Sequence, residues 1–90
     1  MPRIVVERPH ALGREVIREK AEALASQLSK EYDIRYRWVG DVIEFRRSGA
    51  DGKITVDQGR VHVELNLSLM LTAFASGIKS EIERTLDASL

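Results

Sequence analysis

The chain has 90 residues, with 14 Lys plus Arg against 14 Asp plus Glu and no cysteine. That length makes one domain, 1–90, near the lower end of what sustains a core without metals or disulfides. Lack of cysteine excludes a disulfide framework, a thiol nucleophile and a Cys-ligated metal, and zero net charge removes the basic excess behind nonspecific nucleic-acid binding.

Arg3 to Arg8 is a short β-prone run ended by Pro9. The first eight residues are too short and too soon charged for a signal peptide, and no apolar run approaches the ~18 residues of a membrane span, so the expected setting is cytoplasmic. A first helix follows over Arg14–Glu31, with Gly13 as N-cap and Leu12 stapled on Ile17. Ile17, Ala21, Leu24 and Leu28 form its buried stripe with Val16 and Ala25 beside it, while Glu15, Glu19, Lys20, Glu22 and Lys30 form the solvated face.

Four strands come next, at Ile34–Val39, Val42–Arg47, Lys53–Val56 and Arg60–Leu67. Gly40-Asp41 fits a two-residue type II′ turn, which sets Trp38 opposite Ile43, Tyr36 opposite Phe45, Arg37 opposite Glu44 and Arg35 opposite Arg46. Gln58-Gly59 as a second such turn sets Val56 opposite Val61, Ile54 opposite Val63 and Lys53 opposite Glu64. Apolar then meets apolar on one side, and mostly opposite charges meet on the other. Ser48–Gly52 is the longer hairpin loop, with two glycines for positive φ.

A second helix is expected over Leu69–Ala88, with Ser68 as N-cap and Leu71, Phe74, Ile78, Ile82 and Leu86 as core stripe. The order β-α-β-β-β-β-α with one-sided strands predicts an α+β fold, an antiparallel sheet of about five strands with both helices on one face. Where the first strand sits in that sheet does not follow from this pattern.

Few residues carry chemistry. Tyr36 and Trp38 alternate with Arg35 and Arg37, so the rings take the core side and the arginines the open side, which argues against a base-stacking platform. Tyr36 and Trp38 then need polar partners near the sheet edge or a helix end. Arg35, Arg37, Arg46 and Arg60 are the candidate anion or partner face; the competing reading is a solvated surface whose Arg37–Glu44 and Lys53–Glu64 pairs are worth little. His10 belongs in a backbone hydrogen bond at the strand–helix junction, and His62 sits mid-strand; neither has ligand spacing for a metal. No nucleophile elbow or phosphate loop exists, so no catalytic residue, metal or cofactor is predicted. The remaining feature is Leu69-Met70, with Ala73 and Gly77 following on a small-residue flank. It reads as a dimer interface or a hydrophobic docking surface, or else as a seal on the end of the core.

Several segments together carry a family likeness: His10 with the alanine-rich helix, Arg35-Tyr36-Arg37-Trp38-Val39-Gly40-Asp41, Phe45, Gly49-Ala50-Asp51-Gly52-Lys53-Ile54-Thr55-Val56, and Ile78…Ile82-Glu83…Leu86-Asp87. Over essentially its whole length the chain resembles the polyhydroxyalkanoic acid system proteins, a small bacterial family. One departure is Gly13-Arg14-Glu15-Val16, where members tend to have Ser-Pro-Glu-Glu. The resemblance implies a non-enzymatic accessory role in storage-polyester metabolism, with a polyhydroxyalkanoate granule or a granule-associated protein as partner; a homodimer through the second-helix flank or an open sheet edge is expected separately, since a small one-sided sheet leaves edges to cover. It supplies no catalytic residues. An alternative is an acyl-ligand carrier with a pocket between sheet and second helix, with Gly77 beside Tyr36, Trp38 and Phe45 leaving room for an acyl chain. Single-stranded RNA binding is disfavoured by strand parity and zero net charge.

Overall fold

The computed structural model describes residues 3–90. Strands β1 (Arg3–Pro9), β2 (Arg35–Val39), β3 (Val42–Arg47), β4 (Ala50–Val56) and β5 (Arg60–Leu67) form one antiparallel sheet. Helices α1 (Arg14–Tyr32) and α2 (Ala75–Ser89) cover one face of it, and a six-residue 3₁₀ segment, Leu69–Phe74, leads into α2. The order across the sheet is β1-β5-β4-β3-β2, so the first strand returns to the edge beside the last. Ile4 against Leu65 and Val6 against Val63 show why: β5 offers a continuous apolar row for β1 to extend.

Both predicted hairpin registers are present, with Trp38 opposite Ile43, Arg37 opposite Glu44, Val56 opposite Val61 and Lys53 opposite Glu64. Gly40 holds the positive φ of the first turn at 61°. The second turn reaches the same register differently. Gly59 does not have a positive φ; instead the Asp57 carboxylate accepts the Gly59 N–H at 3.1 Å, an Asx turn. The longer loop is also shorter than predicted. Only Ser48 and Gly49 turn, and β4 begins at Ala50. Gly52 lies within that strand opposite Phe45 and Leu65, where an added Cβ would meet the Glu64 carbonyl oxygen at 2.1 Å. Its glycine serves close packing, not a positive φ.

The core is one cluster in which Ile17, Leu24 and Leu28 of α1 and Ile82 and Leu86 of α2 meet Ile43, Ile54, Val63 and Leu65 of the sheet. Each such side chain contributes roughly 1.5–3 kcal/mol when fully buried. Val16 is a correction: it is exposed, because the buried sector of α1 is filled by Ile17, Ala21, Leu24, Ala25 and Leu28 alone. Helix α1 ends at Asp33, which takes the left-handed conformation at φ 55°.

Candidate functional site: a pinned corner, a charged face and an apolar turn

Where β2 and β3 meet α1, every polar handle has a partner. The Glu22 carboxylate accepts the Trp38 indole N–H at 2.8 Å and the Tyr36 hydroxyl. One carboxylate thus anchors both aromatic residues under the helix, and Glu22 is not part of a solvated face as its sequence neighbours imply. That bond is the main reason the Tyr36 hydroxyl titrates above its ordinary range. The Arg18 guanidinium lies 4.2 Å over the Trp38 ring and also donates to Asp41 at 2.6 Å and to the Gly40 carbonyl at 3.0 Å. Arg14 donates to the same Asp41 carboxylate, and this contact first, then Arg18, holds it below the usual carboxylate range. The rings are therefore structural, and a stacking surface is not available.

His10 behaves as its position predicts. Its Nε2 bonds the Asp57 carbonyl at 2.7 Å, and its Nδ1 accepts the Leu12 N–H at 3.1 Å. With Nδ1 accepting, Nε2 is the ring nitrogen that donates to the Asp57 carbonyl.

The open sheet face carries cross-strand rows of charge. Glu64, Lys53, Glu44 and Arg37 alternate in sign along one row, and Arg37 pairs Glu44 at 3.2 Å. In the next row Arg35 faces Arg46, and among the described residues neither makes an ion pair. Arg60 does not join them. It lies at the start of β5 and pairs Glu7 at 3.2 Å, beside His62, which contacts the same carboxylate at 3.0 Å. The four arginines thus divide into a cluster of three and one paired outlier.

The third region is the approach to α2. Past the last ladder pair, Ala50 with Leu67, the Ser68 N–H bonds the Gly49 carbonyl at 2.7 Å, and the Ser68 carbonyl accepts the Leu71 N–H at 3.0 Å. That three-residue closure begins a 3₁₀ turn, so the predicted uninterrupted helix from Leu69 is corrected. Ser68 makes no side-chain cap, and its buried Oγ has no hydrogen-bond partner among the described residues. Leu71 turns inward, but Phe74 is 51% exposed, with the edge of Tyr32 against it at 6.5 Å between ring centres. Its predicted core place fails because the segment has run beyond the end of the sheet. Leu69 and Met70 are 82% and 75% exposed, and Ala73 and Gly77 face solvent with them.

A Cβ added at Gly77 would meet nothing within 4 Å, so Gly77 does not pack on Tyr36, Trp38 or Phe45 as expected. A depression of about 290 Å³ lies at the same corner, walled by Tyr32, Ile34, Leu67, Leu71, Phe74 and Ile78. Behind it Glu81 is buried and accepts the Gln27 amide at 2.9 Å. Burial first, and then the neighbouring Glu31 carboxylate, push the Glu81 carboxyl above its usual range. Neither Glu81 nor Glu22 carries a sequence signal beyond its place on an amphipathic helix. Among the described residues no group of three or more His, Asp or Glu is placed to hold a metal, and no helix is long and apolar enough to cross a membrane.

No curated protein and no solved structure matches the chain. The family model described as "Putative polyhydroxyalkanoic acid system protein" matches residues 4–90. The chain belongs to that family, whose name ties it to polyhydroxyalkanoate systems.

Proposed function

We propose that the protein is a non-enzymatic accessory component of polyhydroxyalkanoate storage that seats on the polyester granule through the turn at Leu69, Met70 and Phe74. The carrying observation is that Leu69 and Met70 stand 82% and 75% exposed next to each other, with Phe74 on the following turn. Folding makes little use of these side chains, and each would contribute up to roughly 1.5–3 kcal/mol if removed from water onto an apolar polyester. Ala73 and Gly77 keep the adjoining flank low, so that a surface approaches without obstruction. Co-sedimentation with polyhydroxybutyrate particles, against polystyrene beads of equal size, tests this. Selective pelleting with the polyester, reduced about tenfold or more by Leu69→Glu with Met70→Glu, is the expected result. Undiminished pelleting of that variant would defeat the proposal.

The 290 Å³ depression beside the same turn favours a second reading, a site for a short acyl chain. It lies at the small end of ligand pockets. Thermal shift with hydroxyacyl thioesters of increasing chain length separates the two readings: stabilisation by thioester without particle binding favours the carrier.

A further inference from the structure

The two edges of the sheet differ in a way the granule reading does not use. In the β1–β5 ladder the His10 N–H bonds the Gly59 carbonyl, in register with Pro9 opposite Arg60. Antiparallel ladder bonds alternate, so the backbones of Ile4, Val6 and Arg8 face β5. The N–H and C=O groups of Arg3, Val5 and Glu7 point outward from the edge. Pro9, also at an outward position, has no N–H to leave unpaired, and it ends the bonding stretch.

We propose that two copies of the protein pair through β1, antiparallel about a two-fold axis at Val5, joining their sheets into one. In that register Val5 meets Val5, Arg3 meets Glu7 of the other copy twice, and Ile4 meets Val6 twice. Outward backbone groups then face each other in bonded pairs at Arg3, Val5 and Glu7. Charged residues on an edge strand ordinarily discourage pairing; here their signs match under the rotation. A register centred on Val6 sets Val5 against Glu7, and one centred on Ile4 sets Arg3 against Val5. The far edge lacks this symmetry. Centred on Arg37, β2 sets that arginine against itself, and centred on Tyr36 it sets Arg35 against Arg37.

Two further observations fit. Val5, 44% exposed on the open face of the sheet, is partly covered by its mate across the axis. Helix α2 also crosses diagonally, from Ile78 beside Ala50 and Leu67 to Glu83 and Asp87 on Arg8. Each helix therefore begins away from the edge at the end where its symmetry mate arrives, leaving room for both.

Sedimentation equilibrium over a concentration series tests the pairing. The native protein is expected to dimerise reversibly. Val5→Pro removes an outward N–H that the isolated chain does not use, so it should keep the fold and weaken the dimer by on the order of tenfold to a hundredfold. Arg3→Glu and Glu7→Arg should each be monomeric alone, yet combine when mixed, because one edge is then acidic and the other basic. A native protein that stays monomeric, a dimer indifferent to Val5→Pro, or variants that do not combine would each overturn the proposal.

Discussion

Two corners of the molecule treat their side chains in opposite ways. At the β2–β3 side of α1, Glu22 accepts from both Trp38 and Tyr36, and Arg18 donates to the Gly40 carbonyl and to Asp41. At the other end of the same helix, Asp33 sits at φ 55°, Glu81 is buried with a raised pKa, and the Ser68 hydroxyl has no partner among the described residues. Beside them stand Leu69, Met70 and Phe74, exposed and uncovered. The first corner is built for stability. The second tolerates unfavourable groups and displays apolar ones, which is where local inconsistency with the fold points toward use in binding.

Breaking the first corner should cost most. Glu22→Ala leaves an indole N–H and a phenol hydroxyl half-buried without their acceptor, and is expected to lower unfolding free energy by roughly 1–3 kcal/mol in urea titration. Relieving the second should do the reverse. Asp33→Gly removes the penalty of a side chain in the left-handed region and should stabilise by about 0.5–1 kcal/mol in the same titration. Glu81→Gln should raise the thermal midpoint at neutral pH, by about 4 °C for each kcal/mol recovered. The smallest effect on folding belongs to Leu69→Glu with Met70→Glu, which should change stability by within about 0.5 kcal/mol.

Acid separates the corners by sign. Asp41 has its folded pKa lowered, so its stabilising contribution is present above the ordinary carboxylate range and is lost as pH falls through the folded value. Glu81 has its folded pKa raised, so its burial destabilises at neutral pH and this penalty is relieved as pH falls through the raised value. Unfolding followed against pH should therefore show Asp41→Asn removing an acid-induced loss and Glu81→Gln removing an acid-induced gain.

Much of this fold is legible in the chain because hairpin register depends on turn length and on period-two alternation. Tyr36–Phe45 and Ile54–Val63 follow from counting alone. The departures arise where a third element decides. Gly52 reads as a loop glycine until Leu65 and the Glu64 carbonyl are seen against it. Val16 and Phe74 lie near apolar stripes by spacing, but the sheet has no surface left for either. Glu22 and Glu81 are indistinguishable in sequence from solvated glutamates, since their partners come from β2 and from α1. Of the apolar flank, Leu69 and Met70 are legible as surplus to the core, whereas Phe74 joins them because its segment, a 3₁₀ turn, has run beyond the end of the sheet.

Amide hydrogen exchange, with and without polyhydroxybutyrate particles, distinguishes seating through the apolar turn from seating through the arginine face. Slowed exchange confined to Leu69–Gly77, with the arginine cluster at Arg35 and Arg46 unchanged, is the predicted result. Slowing centred on the arginine face, or none in the presence of bound particles at Leu69–Gly77, would contradict it.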